Sequence, residues 1–140
     1  MKRFRSLRST SGAAAVEFAL ILAPFCIMLT GMIDYGWYFF VDLACTNAVR
    51  AGARSATTVP GAINACLGAA SAQGTTTAKN ALLNLIPGVA AYAPAANCGC
   101  LPDAAGNPQY TCTVNQAFTK LTGASFVPVP ANINTAATMR

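Results

Sequence analysis

The sequence predicts an α+β protein: a long N-terminal transmembrane helix carrying a small extracytoplasmic domain of short helices and an antiparallel sheet. Three observations carry that expectation. A nearly uninterrupted apolar run fills positions 13–33, a helical apolar period follows and gives way to alternation near residue 110, and the composition is 54% hydrophobic against 9% charged over 140 residues. Ordinary soluble domains carry about 25% charged residues. Disorder is excluded by the same figures, because disordered chains pair low hydrophobicity with high charge. The expected organisation is a basic leader over 1–12, a transmembrane helix over 13–34, an extracytoplasmic continuation of that helix over 35–58 and a small α+β domain over 59–140.

The net charge of +5 is concentrated at one end: Lys2, Arg3, Arg5 and Arg8 lie in the first eight residues, leaving five basic against four acidic residues elsewhere. From Ala13 to Ile33 the sequence AAAVEFALILAPFCIMLTGMI holds one charge, Glu17, and one proline, Pro24. At about 1.5 Å per residue this run spans roughly 31 Å of helix, close to the ~30 Å hydrocarbon core of a bilayer. The basic cluster on its N-terminal side keeps that end cytoplasmic and sends the remainder outward. A cleaved secretory signal would have a shorter apolar centre ending in a small-residue cleavage site. Pro24 removes one helix donor and crowds the carbonyl four residues back, which predicts a kink in the span. Cys26 is expected to act as a small apolar side chain. Beyond the run, DYGWYFF supplies Tyr35, Trp37, Tyr38, Phe39 and Phe40, rings suited to the membrane–water boundary or to packing on the domain.

Glu17 is the most informative position. A carboxylate near the start of a span costs up to a few kcal/mol and is functional by default, although the positive end of the helix dipole and the headgroups offset part of that cost. Its offset is specific: Gly12 is followed by Ala13, Ala14, Ala15, Val16, Glu17 and Phe18. A basic leader, a glycine, four small or apolar residues, a glutamate and an apolar helix resemble the processing motif of type IV prepilins. GAAAVEFALILAPF, GMIDYGWYFF and NAVRAGARSA further resemble the TadE-like family of minor pseudopilins from tight-adherence (Flp-type) pilus systems, and the closing INTAATMR resembles the tail of that family more weakly. The resemblance implies that a prepilin peptidase cuts between Gly12 and Ala13. It also implies that Glu17, the fifth residue of the mature chain, neutralises the new amine of a neighbouring subunit. A carboxylate facing an ammonium in a low-dielectric layer offsets much of the cost of burying either, and a mismatch leaves an uncompensated charge. The partners so implied are the membrane, the prepilin peptidase, other pilin or pseudopilin subunits and the pilus assembly machinery. The implied location is a single pass through the bacterial inner membrane.

The helix is expected to continue through FVDLACTNAVRAGARSA, with Asp42, Thr46, Val49 and Ala53 sharing roughly one face, and to end before Val59-Pro60-Gly61. Arg50 and Arg54 stand four apart on a face open to headgroups, another subunit or water. Residues 60–86 read as a helical layer broken near Thr75-Thr76-Thr77, whose second half places Leu82, Leu85 and Ile86 at the spacing of a buried face and stops at Pro87-Gly88. DAAGNP reads as a turn. After it Tyr110, Cys112, Val114 and Phe118 keep even spacing, a half-buried strand with Gln116 as an exception, and NINTAATM is a second strand.

Five cysteines, Cys45, Cys66, Cys98, Cys100 and Cys112, would lie outside the membrane, where disulfides persist. Cys98 and Cys100 point the same way in a strand, so they seek different partners: one Cys112, in a bond closing a hairpin, the other Cys45 or Cys66, with connectivity open. A metal reading of Cys98, Cys100 and Cys112 lacks a fourth ligand, and no metal or cofactor is expected.

The chain has no histidine, which removes the commonest general base and metal ligand. Without a phosphate loop, nucleophile motif or paired carboxylates, no catalytic residue and no enzyme activity are expected. Nucleic-acid binding is not expected either, since the basic tip runs straight into the apolar segment instead of forming a stripe with stacking rings. From Ser55 onward only Lys79, Asp103, Lys120 and Arg140 are charged, a surface that favours association over free solution. The rivals to a pseudopilin are a permanently anchored, unprocessed extracytoplasmic binding protein and, more remotely, a thiol enzyme using Cys98 and Cys100.

Overall fold

The computed structural model describes residues 10–88 and 94–140. The expected leader falls largely on residues 1–9, outside the described residues; its last positions, 10–12, already belong to the first helix. That helix, α1, runs Thr10–Thr57 and is followed by α2 at Gly68–Leu85 and by β1 Ala95–Pro102, β2 Pro108–Ala117 and β3 Asn132–Met139. The chain is thus α+β, with a long apolar helix, a second shorter helix and an antiparallel sheet of order β1-β2-β3.

At 48 residues α1 is about 72 Å long. It continues through Pro24, while the Thr30 hydroxyl bonds back to the carbonyls of Cys26 and Ile27 at 3.0 and 2.9 Å. Its two halves differ in what covers them. Every residue from 12 to 29 is exposed, including Phe18 at 64%, Ile21 at 70% and Met28 at 67%. From Val41 onward one face is buried: Val41, Ala44, Cys45, Ala48, Val49, Ala53 and Ala56. Asp42 and Thr46, expected on that face beside Val49 and Ala53, are only half-buried.

α2 crosses α1 at two glycines. A Cβ on Gly52 would lie 2.7 Å from the Gly74 carbonyl oxygen, and one on Gly74 would lie 2.9 Å from the Gly52 carbonyl. No larger residue fits without moving backbone, which explains why small residues line the buried face of α2: Ala70, Gly74 and Ala78, then Leu82. Two expectations are corrected here. The helix does not break at the threonines, because Thr75 and Thr76 satisfy their hydroxyls on the carbonyls of Ser71 and Ala72, inside the helix, at 2.9 Å. Leu85 is exposed at 46%; the buried stripe runs at i, i+4 through Leu82 to Ile86, one narrow seam against α1.

In β2 the inward residues are Tyr110, Cys112, Val114 and also Gln116. Gln116 is therefore no exception to the alternation: it is buried at 3% exposure, its amide donating to the Ala117 carbonyl at 3.0 Å. Phe118 lies one residue past the strand, its ring edge-on to Tyr38 at 5.3 Å. β1, which the sequence indicated only as one arm of a hairpin, pairs along its whole length with β2 through the turn at 103–107. In that turn Asp103 accepts from the backbone amides of Ala105 and Asn107 at 2.9 Å. The Asn107 amide in particular holds the Asp103 carboxyl below its usual range. Arg140, at 3.4 Å, is an exposed partner.

Candidate functional site

Among the described residues, nothing of the chain lies against the bare half of α1. Gly12 has open space around its backbone, and Ala13, Val16, Glu17 and Phe18 are all exposed. Ala13 and Glu17 stand at i and i+4, one turn apart on a single face, the spacing at which side chains on a helix meet. No part of the most apolar 18-residue window of this helix is buried. A soluble protein's core helix hides such a stretch; this one presents it, as a membrane span does. Cys26 is a free, exposed thiol in the same segment, and Pro24 lies two residues before it.

Where the apolar run ends, Asp34 is fully buried. Its carboxylate accepts from the Thr122 hydroxyl at 2.5 Å and from the Thr122 amide at 3.0 Å. One residue on, the Tyr35 hydroxyl donates to the Pro128 carbonyl at 2.7 Å. The segment between β2 and β3 is thereby tied to the helix at the level of residues 34 and 35. Within it the Lys120 amine donates to the Ala124 carbonyl at 2.9 Å and to the Val127 carbonyl. Sequence reasoning missed Asp34. The available signal was a lone carboxylate closing an apolar run; its partner, 88 positions away, has no local signature.

Four of the six cysteines form two disulfides within the domain. Cys98 joins Cys112, residues directly opposite in the β1–β2 register, and Cys66 joins Cys100. The Tyr110 hydroxyl braces the same corner, donating to the Ala65 carbonyl at 3.1 Å and accepting from the Leu67 amide at 3.0 Å. Cys45, a candidate for a disulfide from sequence, is a correction: it remains a free thiol, buried in the α1 seam. Burial, helped by the negative charge of Asp42, pushes that thiol from 9.0 up to about 11. With the sulfurs of Cys98, Cys100 and Cys112 in disulfides, the three-thiolate arrangement does not form. Among the described residues no group of three His, Cys, Asp or Glu side chains could hold a metal ion. Arg50 and Arg54 are exposed and line an open groove with Asn47, Ser55 and Thr58.

No curated protein and no solved structure matches the chain. Residues 12–54 match the family model described as TadE-like protein, a match that begins at Gly12, covers the bare helix with Glu17 and Asp34, and ends at Arg54 within the buried seam. The matched segment thereby resembles the pilin-like proteins associated with tight-adherence pili. Over this helix, residues 12–54, the chain is similar to the TadE-like family.

Proposed function

We propose that the protein is a minor pseudopilin, inserted with its N-terminus in the cytoplasm, cut by a prepilin peptidase after Gly12, and taking part in assembly of a tight-adherence pilus. The observation that carries this reading is the Gly12–Ala13–Glu17 spacing on a helix with no covering from the described residues. A helix embedded in its own domain could not present the Gly12–Ala13 bond to a membrane peptidase or be laid against other subunits. Cutting there would remove four of the nine basic residues and create an amine at Ala13, one turn from Glu17. In a filament that amine faces the glutamate of a neighbour, and the pairing fixes the axial register of one subunit on the next. The protein's role in this reading is structural, not enzymatic: the low-charge surface and the disulfide-braced domain suit incorporation into, or support of, an assembly.

The test is the intact mass of the protein extracted from membranes of cells with an active prepilin peptidase. A mass lacking residues 1–12 is expected. Retention of the full chain would overturn processing and leave a permanently anchored binding protein. Glu17→Ala is expected to be cut normally yet to impair piliation; unchanged piliation removes Glu17 from the mechanism.

A further inference from the structure

The segment between β2 and β3 does more than connect strands. It is anchored to α1 at the end of the apolar run, through Thr122 on Asp34 and Pro128 on Tyr35, while Leu121 and Phe126 are left 64% and 59% exposed. Its one charged side chain, Lys120, is half-buried and folded inward onto the segment's own carbonyls, so its ammonium is held off the outer face that Leu121 and Phe126 present. Pro128 and Pro130 have no backbone N–H to leave unpaired. Asp34, the first charge after Glu17, is removed from solvent by the segment, so the boundary of the span carries no bare carboxylate on that side.

From these contacts we infer that residues 119–131 form a foot resting on the outer membrane–water boundary, with Leu121 and Phe126 inserted among the upper acyl chains beside the span. The occupant is lipid, because the foot is continuous with the span. Met32 and Ile33, exposed at 69% and 49%, lie immediately below the anchor points, and Tyr35, Phe39 and Phe40 are exposed around and above them, an aromatic layer of the kind found at bilayer boundaries. The backbone of an irregular segment is tolerated at this depth, where water still reaches it, and not deeper. The consequence is a domain held at fixed height and tilt, supported at two places on the bilayer instead of swaying on one helix.

The foot rests on the membrane-anchor reading, and the two are separable in one experiment. Single tryptophans are placed in the full chain on a Trp37→Phe background, reconstituted in phosphatidylcholine–phosphatidylglycerol vesicles containing lipid brominated at shallow or at deep acyl positions. Phe25→Trp reports the span, about 13 Å below Asp34. Leu101→Trp reports the far end of the domain, exposed at 75% beside Cys100. Phe126→Trp and, independently, Leu121→Trp report the foot. The expected result is a blue-shifted emission for both foot variants, with greater loss of fluorescence to shallow than to deep bromine. Phe25→Trp shows the reverse preference, and Leu101→Trp is unquenched. If Phe25→Trp is quenched while both foot variants stay red-shifted and unquenched, whether in water or against another subunit, the foot is overturned and the anchor survives. Absence of quenching at Phe25→Trp overturns the anchor and the foot together. Quenching at Leu101→Trp as well means the domain lies flat, and likewise overturns the foot.

Discussion

At the scale of single residues, Gly52 and Gly74 decide how closely the two helices approach. A Cβ on Gly52 meets backbone at 2.7 Å and the Ala78 methyl at 2.9 Å, so the helices must separate, and separation also strips packing from the Cys112 sulfur beneath. Gly52→Ala is expected to destabilise the domain by about 1–3 kcal/mol, the usual cost of overpacking. Gly36 lies in the same helix with nothing within 4 Å. There the same change gains about 0.5–1 kcal/mol from backbone entropy alone. Denaturant titration in detergent reads both, and the opposite signs are the point: equal effects would mean the close crossing does not exist. Cys45 offers a second residue-scale measurement. Its folded pKa is raised, so the protonated thiol is favoured by folding. The associated stability is intact below pH 9 and declines as pH climbs from 9.0 towards about 11. The native chain in detergent should therefore give at most one thiol, Cys26, to a small apolar disulfide reagent able to enter the micelle, and a second only after denaturation. Two thiols reacting at once would place Cys45 outside the core.

At the scale of elements, the disulfides and the foot do what a thin core cannot. The helix seam is built mostly from alanine, glycine and valine, with Leu82 and, just past the end of α2, Ile86 its largest members on that side. Each such side chain buries little area, and the stabilisation scales with area at about 25 cal/mol per Å². Cross-links then carry more of the load. In the chain-entropy picture a loop of the size closed by Cys98–Cys112 contributes about 3 kcal/mol and the longer one closed by Cys66–Cys100 somewhat more. Replacing Cys66 and Cys100 by alanine should lower the unfolding midpoint markedly while leaving the Cys98–Cys112 bond formed, as peptide mapping of the non-reduced protein would check. For the foot, Thr122→Val removes the hydroxyl but keeps the shape and the amide. Faster amide exchange confined to residues 119–131 is expected, with β2 and β3 unchanged; exchange spread over the sheet would mean that Thr122 supports the sheet instead.

These elements also show which parts of the chain announce themselves. The anchor helix is legible because an apolar run, a basic flank and a placed glutamate are local patterns. The final strand NINTAATM is legible because β3 alternates against the helix. The Thr75–Thr77 stretch misleads because hydroxyls that compete with backbone in caps can equally bond back inside a helix. Leu85 misleads because a seam crossing at two glycines is one residue wide, narrower than the i, i+3, i+4 face assumed of a helix on a broad core. The cysteine partners and the Asp34–Thr122 contact depend on separations of 34 and 88 positions, and no periodicity encodes those.

At the scale of the whole molecule, one helix has two unlike halves in series. Residues 12–29 bury nothing against the described residues, whereas the apolar core of α1 begins at Val41. The bare apolar half and the folding half should therefore be separable. A chain beginning at Thr30 retains Asp34, the aromatic layer, the Gly52 crossing and all four disulfide cysteines. It is expected to fold, with a cooperative thermal transition and both disulfides formed. It should nevertheless fail to stay monomeric without detergent, because Phe39 at 64%, Leu43 at 61% and Phe126 at 59% exposure remain on a surface with few charges to oppose association. Circular dichroism with non-reduced peptide mapping tests the first half of this prediction and size-exclusion chromatography at several detergent concentrations the second. A fragment that is unfolded would mean that residues 12–29 stabilise the domain through contacts among copies. A fragment that is folded and monomeric in plain buffer would mean that the apolar surface above the span covers itself.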